Sequence, residues 1–156
     1  MSDADERLVL DKAAKGKQVA ALVQELAQSN PMLISMREAL ESGAACSAAL
    51  LSGGLTNYSF RVSVAGAPPV FAKLSFPYAL WNPNPDEHYD LERTENEAIM
   101  MSRFASLAPG CVASVYACLD IAAKGDHPAM KLLVTEWCTA DEQFANQVRR
   151  HCHVVP

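Results

Sequence analysis

Apolar positions recur with helical spacing at the start of the chain. Val19, Leu22, Val23 and Leu26 fall at i, i+3, i+4 and i+7, one face of a helix predicted over 6–28. Ser29-Asn30-Pro31 interrupts it, Pro31 suits the first turn of a second helix running to about Ser42, and Gly43 suits its C-terminal cap. After Ala45 the period changes. Ala48–Leu51 is a short apolar run, Ser52-Gly53-Gly54 a turn, and Tyr58, Phe60, Val62 and Val64 then alternate with Ser59, Arg61 and Ser63, as in a half-buried strand. Gly66-Ala67-Pro68-Pro69 is a second turn and Val70–Leu74 a third strand. Pro77, Asn82, Pro83, Asn84 and Pro85 mark a long loop over 77–90, followed by a helix from about Asp90 to Leu107. Ala113–Leu119 and Met130–Trp137 read as two more strands, joined through Gly125-Asp126. Three strands, a helix and two strands predict an α+β fold: a five-stranded, mostly antiparallel sheet with one packed helix, preceded by an N-terminal helical segment over 1–45.

Composition narrows the function. A net charge of −5 over 156 residues, with no Lys/Arg stripe, argues against a nucleic-acid partner. No apolar run approaches the 18 or so residues of a membrane span, so no membrane partner is expected. The acidic start Met1-Ser-Asp-Ala-Asp-Glu-Arg7 lacks a signal peptide's basic flank and apolar centre. The five cysteines are an odd number without C-x-x-C spacing, which fits free thiols in the cytoplasm better than a disulfide framework or a zinc site. The tail His151-Cys152-His153 offers neighbouring ligands too close in sequence to complete a tetrahedral site.

Four segments carry candidate chemistry. The loop Ser52-Gly53-Gly54-Leu55-Thr56-Asn57 joins two strands; it is either a tight hairpin or a turn whose N–H groups cover a nucleotide's phosphates. Lys73 stands inside an apolar strand, either as an outward-facing residue or as a cation for phosphates. Glu97 is followed by Met100, Met101 and Phe104 at i+3, i+4 and i+7, which predicts a core-facing stripe on which a carboxylate needs a cation. Lys73, read as the only cation within a core strand, is one partner; Arg93 at i−4 is the competitor. The strand over 130–137 turns polar at Glu136, so the backbone around Glu136 and Cys138 is either a nucleotide-binding hinge or a core strand running into a loop.

Glycine turn, strand lysine and helix glutamate, in that order, make up the nucleotide half of a kinase. Leu51-Ser-Gly-Gly-Leu-Thr-Asn57, continuing Tyr58-Ser-Phe60-Arg61-Val62, resembles the phosphate-binding segment of choline and ethanolamine kinases. Lys73-Leu-Ser-Phe-Pro77-Tyr78, Arg93-x-x-x-Glu97 and Ala108-Pro109-Gly-Cys-Val112-Ala-Ser-Val115-Tyr116 resemble methylthioribose kinase. The likeness is thus to the N-terminal lobe of the aminoglycoside, choline and methylthioribose kinase group, over roughly 48–140. It departs from each family: choline kinases usually carry Arg where Lys73 stands, and methylthioribose kinases have a different glycine loop.

The resemblance implies a kinase-like lobe over 46–140, with 141–156 as the start of a second lobe. It implies ATP bound by Ser52–Asn57, Lys73, Glu97 and the 136–138 hinge, Lys73 on the α and β phosphates and Glu97 orienting it. Mg²⁺ would be held by the second lobe, and a small-molecule hydroxyl would be the acceptor. No catalytic residue is assigned, because no H-G-D-like loop, downstream Asn or metal-binding Asp follows Trp137; the acids there are Asp141 and Glu142. His88-Tyr89-Asp90-Leu91 imitates a kinase H-R-D-L motif but precedes the hinge-like strand, and it is read as the start of a helix. The competing expectation is a non-catalytic nucleotide-binding or interaction fragment, with a homodimer formed through the face that would meet the second lobe.

Overall fold

The computed structural model describes residues 3–51, 56–80, 88–125 and 128–138, with the side chains of the first helix from Asp11 onward. Helix α1 spans Asp3–Ser29, a 3₁₀ turn Pro31–Leu33, and helix α2 Ile34–Glu41. Strands β1 (Cys46–Leu50), β2 (Asn57–Val64) and β3 (Val70–Ser75) follow, then helix α3 (Glu92–Leu107), β4 (Val115–Ile121) and β5 (Met130–Glu136). The fold is α+β, with a five-stranded, fully antiparallel open sheet in the order β1-β2-β3-β5-β4.

Local chemistry sets these boundaries. The Asn30 side chain accepts the Met32 N–H at 2.9 Å, so Pro31 opens a 3₁₀ turn and α2 starts three residues later than its sequence suggests. Helix α2 ends at Gly43, whose φ of 91° is costly for any residue with a Cβ. Gly43 N–H reaches Leu40 C=O at 3.0 Å and Ala44 N–H reaches Ala39 C=O at 3.1 Å, the paired bonds of a Schellman cap. Among the described residues no helix is long and apolar enough to cross a membrane.

The sheet separates two environments because side chains alternate along each strand. Tyr58, Phe60, Val62, Val64, Val70, Ala72, Leu74, Met130, Leu132 and Val134 form one face, buried against Val19, Val23 and Ala27 of α1, Leu33 of the 3₁₀ turn and Met36 of α2. The opposite face carries Arg61, Phe71, Lys73, Ser75, Lys131, Leu133 and Thr135, and α3 packs there. Strand β5, paired on both sides and covered on both faces, is buried from Met130 to Thr135.

Gly16 of α1 lies against β1: a Cβ there would stand 3.4 Å from Ala48 O and 3.6 Å from Phe60 Cε1, ordinary contact distances. Glycine in a helix interior costs about 0.5–1 kcal/mol relative to alanine. Gly16→Ala is therefore expected to raise stability by about that amount in chemical denaturation, while a branched residue lowers it.

Candidate functional site

The predicted Lys73–Glu97 contact is present. Lys73 Nζ lies 2.6 Å from Glu97 Oε2, with the lysine mostly buried and the glutamate at 41% exposure. Arg93 is placed elsewhere, its guanidinium 4.8 Å from the centre of the Tyr89 ring. Asp90 Oδ1 accepts the Glu92 N–H at 2.8 Å, so the segment before α3 does the work of a helix start.

Two premises behind the pairing need correction. Met100 and Phe104 are 45% and 50% exposed, so the stripe they share with Glu97 does not face the core. Helix α3 buries Thr94 and Ala98 instead and docks largely through polar contacts. Thr94 Oγ1 meets Ser75 Oγ at 2.8 Å, and Glu95 Oε2 meets Lys131 Nζ at 2.8 Å, beside the Lys73–Glu97 pair. An apolar period of seven residues on a short helix does not say which side meets the sheet. Lys73 is also not the only cation inside a core strand. Lys131 is buried in β5 and held by Glu95 and, at 3.2 Å, by Asp120. The hydrogen bond it donates to Glu95 keeps its ammonium above the usual lysine range, in spite of burial.

Beside the ion pair lies a cleft of about 360 Å³, bordered by Leu51, Phe71, Glu97, Met101, Leu133 and the strand exit Thr135–Cys138. Its size falls at the lower end for small-molecule sites. Of the residues singled out from sequence, Glu97, Glu136 and Cys138 border this cleft, and Lys73 adjoins it through Glu97. Thr56 and Asn57 do not border it. Asn57 pairs across from Ser75, four residues along β3 from Phe71, or about 13 Å. Its side chain donates to Thr56 Oγ1 at 3.2 Å. Ser52, Gly53, Gly54 and Leu55 lie outside the described residues, as does the 141–156 tail. Leu51 N–H donates to Ser59 C=O at 2.8 Å, directly before that loop.

Glu136 is more heavily engaged than a bare strand end. Its carboxylate accepts from Ser114 N–H at 3.2 Å and Ser114 Oγ at 3.1 Å, and its own N–H donates to Ser114 C=O at 2.8 Å. Its carbonyl accepts Thr135 Oγ1 at 3.1 Å. Sequence reasoning missed this Ser114 clamp and also the Arg61 guanidinium 5.3 Å from the Trp137 ring centre. An aromatic residue directly after the last strand was the available signal for the second.

A larger groove of about 440 Å³ lies between α1 and β1, lined mainly by Ala13, Gly16, Ala20, Ala48 and Phe60 with Lys12 and Lys17. Among the described residues that line it there is no acid and no ion pair, whereas the smaller cleft has both. Among the described residues, no group of three or more His, Cys, Asp or Glu side chains is placed to hold a metal ion.

Burial pushes the Cys46 and Cys118 thiols and the Tyr58 and Tyr116 phenols above their ordinary ranges, with Asp11 adding to Tyr58 and Glu136 to Tyr116. Lys131 shifts upward too. In each case the native state binds more protons than the unfolded chain once pH passes the unfolded value. Stability contributed this way is full below about pH 8 and falls as pH rises, first with the thiols above about 8.5 and then with the phenols and Lys131 above about 10. Thermal midpoints measured from pH 7 to 11 should be level at first and then fall; a rise above pH 9 would contradict these environments.

No protein-family model matches the sequence, and no curated protein matches it.

Proposed function

We propose that this chain is the nucleotide-binding lobe of an ATP-dependent kinase that phosphorylates a hydroxyl of a small molecule, as its resemblance to the aminoglycoside, choline and methylthioribose kinases implies. The observation that carries the reading is the 2.6 Å Lys73–Glu97 pair, which links β3 to α3 beside the cleft. A strand lysine fixed by a helix glutamate is poised to bind phosphates without a search over its own rotamers. The base would lie near Thr135–Cys138, with the phosphates running past Lys73 toward the loop that Asn57 closes. Mg²⁺ would accompany the phosphates, its protein ligands expected in a catalytic lobe.

One wall of the cleft would come from that lobe. Each missing charge-assisted contact is worth roughly 1.5–3 kcal/mol, so two or three of them cost about a hundredfold to a millionfold in affinity. ATP binding to these residues alone is therefore expected at millimolar or weaker. An NMR titration should show shifts confined to 51–58, Lys73 and 134–139, without saturation. Shifts on α1 and α2 instead would remove the site. These residues by themselves, without a catalytic lobe, are expected to show no phosphotransferase activity on choline, ethanolamine, methylthioribose or aminoglycosides. Mg-ATP turnover above the buffer rate, lost on Lys73→Ala, would reveal an overlooked catalytic base.

The exposed Ile99, Met100, Phe104 and Leu107 on α3 favour a second reading, an interaction fragment that pairs with another copy. Under that reading ATP saturates at micromolar concentration only when the chain is dimeric, which sedimentation with and without ATP would detect.

A further inference from the structure

We propose that Trp137, backed by Arg61, is the platform on which a purine base stacks in the cleft, and that stacking, more than hydrogen bonding, selects the base. This rests on the nucleotide reading of the site. Trp137 directly follows β5 and borders the cleft. Arg61, opposite Phe71 in the β2–β3 register, holds its guanidinium 5.3 Å from the indole centre, inside the range of a cation–π contact. Trp137 borders the cleft and Arg61 does not, so the cation reaches a bound base through the indole. Among the described residues Arg61 has no carboxylate partner.

The rest of the cavity suits a flat apolar body: Leu51, Phe71, Met101 and Leu133 supply apolar walls, and the Lys73–Glu97 pair lies to one side. Hydrogen bonding at Glu136 is largely consumed. Glu136 gives its N–H to Ser114, accepts Thr135 Oγ1 on its carbonyl, and commits its carboxylate to Ser114. Ring area on the indole favours purines over pyrimidines and distinguishes little between adenine and guanine. Base–aromatic stacking accounts for about five- to 150-fold in affinity per base.

The test uses nucleosides, which lack phosphates and so report on the base wall alone. The chain has two tryptophans, Trp81 and Trp137, so Trp81→Phe assigns the Trp137 indole N–H signal in a ¹⁵N correlation spectrum. Adenosine and guanosine should move that signal with affinities within about threefold, and uridine should bind about tenfold more weakly. Trp137→Leu should weaken adenosine about tenfold or more. Arg61→Gln, a change at an exposed residue that leaves the core intact, should weaken it by about threefold, with Arg61→Lys restoring most of the loss. Adenosine that shifts 134–138 while the Trp137 indole stays still would overturn the platform, as would a preference of adenosine over guanosine above tenfold. If ATP binds through Lys73 while nucleosides leave Trp137 unmoved, the platform falls and the nucleotide reading stands. If neither ATP nor nucleosides perturb the cleft, both fall.

Discussion

Lys73→Ala is expected to abolish detectable ATP binding while shifting the thermal midpoint by only a few degrees. The two effects separate because the ion pair is partly solvated, its side chains 22% and 41% exposed. Such pairs contribute about 0–1 kcal/mol to folding, or at most about 4 °C in a chain of this size. A direct contact from an ammonium to phosphates is worth about 1.5–3 kcal/mol, a factor of roughly 10 to 150. Applied to a millimolar site, that factor removes any measurable binding. Glu97→Gln keeps a hydrogen-bonding group beside Lys73 but removes the charge, so a smaller loss is expected, and the double variant should be no worse than Lys73→Ala alone. Lys131→Met is the control. It also removes a strand lysine paired to α3, but Lys131 points to Glu95 and Asp120 away from the cleft, so ATP-induced shifts should persist. If Lys131→Met abolishes the shifts as fully as Lys73→Ala does, the lysines act by holding α3, and Lys73 has no special claim on phosphate.

Much of the fold was readable from period alone. Tyr58, Phe60, Val62 and Val64 alternate with polar residues and are all buried, and Val19 and Val23 lie at the centre of the α1 face. Strand ends were less readable. The run Ala48–Leu51 became Cys46–Leu50, and Ala113–Leu119 became Val115–Ile121, because pairing with β2 and β5 sets the register, and apolar character does not mark where pairing stops. The docking face of α3 was not legible. Its contacts are Thr94, Glu95, Glu97 and Ala98, and hydrophobic patterning has no means of favouring those over Met100 and Phe104. Lys15 is a similar case. A lysine on a surface helix reads as solvated, yet this one is buried, with Nζ 5.8 Å from the Phe76 ring centre and 3.9 Å from the Met130 sulfur.

The candidate site was legible where it depended on charge and hidden where it depended on neighbours. Lys73 and Glu97 were paired from sequence because a carboxylate and an ammonium in apolar surroundings each need a counter-charge. The pairing holds at 2.6 Å although Met100 and Phe104, two of the residues invoked for a core-facing stripe, are exposed. Ser114 and Trp137 carry no such need. The Ser114 clamp arises from the start of β4 lying beside the end of β5, and the Trp137 contact from Arg61 of β2 reaching the end of β5, proximities that only the sheet order supplies. The same order explains why Glu136 and Cys138 fall in one cleft with Glu97, which lies a helix and a strand earlier in the chain.

The two faces of the sheet should respond unequally to the same truncation. Phe60 points from β2 toward α1, is 1% exposed, and packs edge-on to Tyr58 with ring centres 6.3 Å apart. Phe60→Ala leaves a cavity that α1 cannot collapse into without moving Gly16 off β1, so a loss of about 3–5 kcal/mol is expected. Against a total stability of about 5–15 kcal/mol, that lowers the thermal midpoint by roughly 10 °C or more. Phe71 lies on the neighbouring strand but on the opposite face, half-buried at the edge of the open cleft. Phe71→Ala enlarges a space that water already reaches, so about 1 kcal/mol is expected, together with weaker adenosine binding from the lost wall. Urea denaturation of the two variants, followed by nucleoside titration of whichever remains folded, gives both readouts. A stability loss at Phe71 equal to that at Phe60 would mean that the α3 side is also a closed core, leaving no cleft there for a base to enter.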